Sequence, residues 1–279
     1  MAGRIRTIQR GGSRWYVNSE TAIKYPGVTS VIAMLPKPFL VHWAARMAAE
    51  TAVTSLAAVQ SIAERDPEGA IDYVRNAHLR YTKARAKLGS DAHDLFERMA
   101  RGEFVGRVHP DLEPYKAGFA DFLKAVNPEL VRAEDIAWSS THEYAGSFDA
   151  ILRVWLDAEG KPTPDRSGVP HLLIVDWKTS KSTYPDVALQ MAAYSHADLI
   201  ISPDGTAEPM PTFDGGAVLH ITGEDWSFKP VRTDDEILTV FLTLRRVFDW
   251  DRETSRTVLG RAIAKSARRL VTGTERRAR

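Results

Sequence analysis

The stretch Leu172-Leu173-Ile174-Val175-Asp176-Trp177-Lys178 constrains this chain more than any other. Four large aliphatic residues in a row read as a short buried strand. Asp176 and Lys178 stand at its end, two residues apart, and in a strand such residues point to the same face. A carboxylate and an ammonium therefore project side by side into one site. Upstream, Gly146-Ser147-Phe148-Asp149 leads into Ile151-Leu152-Arg153-Val154-Trp155, which continues as a strand. A hairpin connection between the two segments sets Asp149 beside Asp176. Two carboxylates offer the oxygen ligands that a hard divalent cation such as magnesium or manganese prefers. A lysine next to such a cation suits phosphodiester hydrolysis, where charge builds on phosphate oxygens and a water attacks.

Composition narrows the partners. The 279 residues allow one large domain or two small ones. Hydrophobic residues at 44% and charged residues at 26% are those of an ordinary soluble globular protein. The net charge is +1, so a nucleic-acid surface has to come from local clusters of charge. The chain has no cysteine, which excludes disulfides, thiolate zinc sites and cysteine-bound iron–sulfur clusters. No apolar run approaches the roughly 18 residues of a membrane helix. Met1-Ala2-Gly3-Arg4-Ile5-Arg6 lacks the apolar region of a signal peptide. The expectation is an intracellular, cytoplasmic protein with no membrane partner.

Taken in order, Ile5-Arg6-Thr7-Ile8 and Trp15-Tyr16-Val17 around Gly11-Gly12 read as a hairpin. Thr29 or Ser30 is placed to cap a short helix. From Phe39 to about Arg101 the chain reads as helical, with breaks at Asp66-Pro67 and at Gly89. Trp43 reads either as a core anchor or as a platform for a base. His93 and Glu97 lie four apart on one helical face. His93 is a candidate metal ligand through a neutral imidazole nitrogen. Glu97 reads either as a surface residue or as a partner of His93. Residues 130–138 form an expected first sheet strand. Its Glu134 is open to two readings, a site residue or a solvated strand residue. Residues 144–156 form the second strand, and residues 171–177 the third. The polar segment 157–168 joins them as a loose loop. A helix opening near Pro185-Asp186-Val187 carries Gln190 and Tyr194, four apart. Residues 202–216 read as a loop, followed by strands at 217–221 and 226–231 and a helix over 234–250. From Arg261 the chain holds seven Lys/Arg and one acid, Glu275. That tail reads either as a phosphate grip or as a solvated, disordered terminus.

Gly89-Ser90-Asp91-Ala92-His93, then Asp149, then Asp176-Trp177-Lys178, then Gln190-Met191-Ala192-Ala193-Tyr194 appear in that order. The set resembles the PD-(D/E)xK nuclease superfamily, and within it the RecB-like exonuclease branch of phage and CRISPR-associated type. The resemblance spans roughly residues 83–231. It implies an α/β fold with a restriction-endonuclease-like core, a central mixed β-sheet flanked by helices and a helical N-terminal lobe. It divides the chain into an N-terminal hairpin and helical lobe (1–82), a nuclease core (83–250) and a basic C-terminal helix with a disordered tail (251–279), together one compact unit. It implies a metal-dependent DNA exonuclease serving recombination, repair or replication, of phage origin. DNA, single-stranded or presented as an end, is the implied partner. His93, Asp149, Asp176 and the Trp177 carbonyl are implied to hold magnesium or manganese. Lys178 is implied to position the attacking water and Gln190 to orient Lys178 or a phosphate, while Tyr194 reads either as a hydrogen bonder on the phosphate side or as plain core. Several relatives carry a four-cysteine iron–sulfur cluster, which this chain cannot build.

Three competing readings use the same residues. One is a site-specific or structure-specific endonuclease of the same fold. Another is a non-catalytic DNA-binding or scaffold subunit. The third is a helical regulatory protein in which Asp176-x-Lys178 is accidental, a reading that requires Asp149, Asp176 and Lys178 to lie apart.

Overall fold

The computed structural model describes residues 4–264, and the expectations for a disordered 272–279 and a phosphate-gripping basic tail fall largely outside them. In chain order the strands begin with β1 (Ile5–Arg10), β2 (Ser13–Asn18) and β3 (Lys24–Pro26). The helices α1 (Val28–Ile32), α2 (Phe39–Thr54), α3 (Leu56–Ala63), α4 (Pro67–Arg75), α5 (Ala77–Ala100) and α6 (Glu113–Val126) follow. Then come β4 (Glu129–Ala133), β5 (Ile136–Ser139), β6 (Tyr144–Ser147), β7 (Ala150–Leu156) and β8 (Val169–Lys178). The chain continues through α7 (Val187–Ser195), β9 (Leu199–Ile201), β10 (Ala207–Pro209), β11 (Gly215–Ile221), β12 (Trp226–Val231) and α8 (Asp235–Arg252).

The result is a mixed α/β architecture with a helical N-terminal region. Its main sheet has five strands in the order β12-β11-β8-β7-β4. β8 is the central strand, parallel to β11 and antiparallel to β7. Being central explains its apolar run, because both of its faces are covered. Ile174 packs in a cluster with α1, α7 and α8, whereas Val175 and Trp177 pack in a cluster with α5 and α6. A four-stranded sheet, β10-β9-β5-β6, and a three-stranded sheet, β1-β2-β3, complete the strands.

Several boundaries differ from the sequence reading. The single strand expected over 130–138 is two, with β4 in the main sheet and β5 in the four-stranded one. Glu134 lies between them with φ +57°, a left-handed conformation that turns the chain out of the sheet. The strand expected over 144–156 is likewise split at Phe148-Asp149 into β6 and β7. Gly89 does not break its helix, and α5 runs through it for 24 residues. A glycine costs a helix about 1 kcal/mol relative to alanine, and buried Ala92, Leu95 and Phe96 anchor this one. The breaks fall at Ser55, at Arg65-Asp66 and at Asn76. Neither Thr29 nor Ser30 caps α1, whose N-cap is Gly27. The Ser30 hydroxyl instead accepts the Arg14 amide at 2.9 Å. Trp43 is half-buried, edge-on to His78 and Tyr81 of α5, so it is neither a deep core residue nor an open platform. The segment 202–216 is not all loop, since β10 pairs with β9. Among the described residues after α8 there is a single 3-10 turn and no α-helix, so the C-terminal helix expected within 251–279 is absent from them.

Candidate metal centre

The site forms where β8 ends and β7 begins. Ala150 pairs with Val175, so Asp149 stands opposite Asp176. The ladder of β7 stops there, which frees the next amide of β8. The Trp177 N–H donates to Asp149 Oδ2 at 2.6 Å. A short bond from a backbone amide to a carboxylate is a strong one, and it holds Asp149 at a place where the chain is changing sheets. Alternation along β8 then separates the roles of its last three residues. The Trp177 ring is fully buried against Phe96 and Phe119, while Asp176 and Lys178 emerge on the opposite face.

α5 brings His93 to the same place. Its Nδ1 lies 3.3 Å from Asp149 Oδ1, and its ring packs edge-on against Trp177 at 6.1 Å. Glu134 arrives from the turn between β4 and β5. Its backbone N–H donates to the Asp149 carbonyl at 3.2 Å, and the Ser147 hydroxyl donates to its Oε2 at 3.4 Å. One ligand atom each from His93, Glu134 and Asp149 lies within 4.8 Å of the others, close enough to hold one cation. Asp176 is not part of that trio, in contrast to the ligand set read from the sequence. Its buried carboxylate is ion-paired with Lys178. The oxygen held against the Lys178 ammonium is Oδ2, a buried oxygen with no other hydrogen-bond partner. A buried carboxylate without a cation beside it is costly, and here Lys178 is that cation. The donor set of the trio, two carboxylates and a single imidazole, fits a hard divalent ion.

The electrostatics agree with a site short of positive charge. Burial raises the Asp176 pKa, and the Asp149 charge adds to this, more than Lys178 and His93 offset. Asp149 is lowered: burial pushes it up, but His93, Lys178 and the Trp177 amide outweigh that. Burial and the neighbouring Asp149 push Glu134 up to about 7. Burial lowers His93 and Lys178, yet the carboxylates around them leave both above their ordinary values. So Lys178 keeps its proton here rather than losing it.

The remaining candidates divide. Gln190 turns to Tyr194, its Nε2 donating to the phenol oxygen at 3.3 Å, and not to Lys178. Tyr194 is a core residue, 2% exposed. Burial and nearby acidic groups keep its hydroxyl protonated. A side chain at Gly146 would meet its ring at 2.6 Å, so that glycine is required by packing. Glu97 does not partner His93; it binds Arg101 at 2.7 Å, and Arg101 also reaches the Ala133 carbonyl beside Glu134. What the structure shows of Trp177 at the site is its amide on Asp149. A groove of about 1220 Å³ lies at the other end of the sheet, bordered by Leu156, His171 and Gly215. No protein-family model matches the chain, and no curated protein matches it.

Glu134 gives a testable consequence. Its pKa is higher folded than unfolded, so the folded, metal-free protein binds the extra proton between about pH 4.5 and about 7. Stability then falls as pH rises through that window. Glu134→Gln is expected to flatten this fall in thermal melts run in EDTA, while reducing the rise in Tm that manganese gives the wild type. A variant that melts like the wild type with and without manganese removes Glu134 from the trio.

Proposed function

We propose that this chain is a divalent-metal-dependent deoxyribonuclease, an exonuclease of the RecB-like PD-(D/E)xK kind with a restriction-endonuclease-like core. Recombination, repair or replication of DNA is the setting in which it would act. The observation that carries this reading is the meeting of His93 from α5 with Asp149, opposite Asp176 and beside Lys178. These residues are 56 or more positions apart from His93 in the chain.

His93, Glu134 and Asp149 would hold magnesium or manganese, with the Asp176 carboxylate opposite Asp149 adding negative charge to the site. When bound, that ion would supply Lewis-acid stabilisation of phosphate oxygens and a lowered pKa for water. The chain's own residues do the rest. The Trp177 amide and His93 fix the Asp149 carboxylate, so its charge costs no reorganisation during reaction. Lys178, protonated, donates to a phosphate oxygen or to the attacking water and offsets developing negative charge. Asp176 holds that ammonium at the end of β8. The burial of Trp177, Phe96 and Phe119 beneath the site makes one wall dry, which strengthens each of these interactions.

The test is an assay with end-labelled single- and double-stranded DNA in the presence of manganese. The expected result is shortening from an end that stops when EDTA is added. Intact substrate with either magnesium or manganese would leave the scaffold reading in its place.

A further inference from the structure

Two aromatic rings beside the candidate site take no part in the chemistry above. Phe39 opens α2, and Tyr184 lies in the loop 179–186 that follows β8. The rings stack with centroids 6.1 Å apart and planes 15° from parallel. Phe39 is 50% exposed and Tyr184 51%. The two segments are already tied by the Lys37–Asp186 ion pair at 2.6 Å. The stack is thus not needed to join them, and ring area is left facing water. The loop is a held platform: Arg85 of α5 donates to the Thr179 carbonyl at 3.3 Å, and the His220 ring bonds the Ser180 carbonyl at 2.6 Å. Asp186 is close enough to act electrostatically on Lys178.

The ground next to this platform is basic. From residue 77 to residue 90, α5 carries Arg80, Lys83, Arg85 and Lys87 and no acid. All four are exposed, as is Lys181 in the loop. Lys87 is paired with Asp91 at 2.9 Å, and Arg80 lies over the Tyr73 ring. Arg85, bonded to the Thr179 carbonyl on the same face of α5 as Gly89, and Lys181 in the loop stand beside the platform, while Lys83, two residues from Arg85, projects from the other side of the helix. A chain of net charge +1 has concentrated cations here, next to half-exposed aromatic faces.

We propose that Phe39 and Tyr184, with Arg85 and Lys181, form a subsite for single-stranded nucleic acid. Unpaired bases continue the ring stack, and the phosphates follow the basic ridge toward Lys178. This deepens the nuclease reading and rests on it. Base–aromatic stacking tolerates any sequence because every base has a π-face. In a duplex those faces are covered, so the subsite selects unpaired strands. The cations supply a salt-dependent grip on the backbone.

The test is fluorescence anisotropy in EDTA, which reads binding without cleavage. The probes are a fluorescein-labelled mixed-sequence oligonucleotide of about 12 nucleotides and the same backbone with abasic sites. The wild type is expected to bind the normal strand about 10-fold or more tightly than the abasic one. The double variant Phe39→Ala, Tyr184→Ala is expected to bind the two alike, and Tyr184→Phe to keep the preference. Equal binding of both probes by the wild type overturns the proposal, as does a preference that survives in the double variant. The abasic comparison needs no variant, so it decides even where the double variant is unstable. Hydrolysis of bis-para-nitrophenyl phosphate by the wild type with manganese tests the nuclease reading alone, since that reporter has no base to stack. A failed subsite and a failed nuclease are thereby told apart.

Discussion

Lys178→Ala is expected to bind manganese and still lose about 100-fold or more in turnover, the cost of removing one pre-organised stabiliser of transition-state charge. That factor corresponds to about 2.7 kcal/mol of barrier. The structure gives the reason for separating the two effects. Lys178 carries no ligand atom of the trio His93, Glu134 and Asp149. Its ammonium is held against Asp176 and is kept protonated by the surrounding carboxylates despite its burial. Taking it away leaves Asp176 buried without its ion-pair partner, so the metal-free variant should also be less stable, while added manganese should restore more of the lost stability than it adds to the wild type. The measurement is a manganese titration followed by Tm, run in parallel with release of product from a fluorescent single strand. Wild-type turnover in a contaminant-free preparation would remove Lys178 from the chemistry.

How much of this was legible in the sequence follows from which interactions are local. The run 172–175 and the residues Asp176 and Lys178 obey the period of a strand, so their placement at the end of a buried β8 could be read directly. The β7–β8 hairpin was also legible, because a loop of polar and proline residues separates two strand-like runs. His93 came into view through its spacing from Gly89, and the 3.3 Å contact with Asp149 places it in the site. Glu134 was only half legible. Its side chain joins the site because its own backbone takes φ +57° and moves β5 into another sheet. A glutamate gives no local signal for that conformation, which glycine or asparagine adopts more readily. The sheet switch at Phe148-Asp149 was hidden for the same reason, since a continuous apolar pattern does not reveal that its two halves pair with different neighbours. Gln190 and Tyr194 carried a spacing that resembles a site motif, yet the helix turns Tyr194 into the core and the half-buried Gln190 toward its hydroxyl. Spacing fixes which residues share a helical face, and tertiary packing fixes what that face meets.

Asp149→Asn is expected to abolish detectable cleavage, a loss on the order of 1000-fold or more, because one change withdraws several supports at once. Asp149 is the residue on which the others converge. One oxygen accepts the Trp177 amide at 2.6 Å and the other faces His93 at 3.3 Å. Its charge holds His93 and Lys178 above their ordinary pKa values and helps raise those of Asp176 and Glu134. An asparagine keeps the size but not the charge, and its amide group presents a donor toward either the Trp177 N–H or His93. The trio then offers a single carboxylate, too little charge for tight capture of a divalent ion. The same loss of negative charge reduces repulsion of a phosphate backbone, so single-strand DNA should bind as well as to the wild type, or more tightly, in EDTA. Binding by anisotropy and cleavage with manganese, measured on one preparation, separate the two effects. If Asp149→Asn retains more than about a tenth of wild-type cleavage at saturating manganese, the metal centre lies elsewhere. If it loses DNA binding and cleavage together, with an unchanged melt, Asp149 belongs to substrate recognition instead.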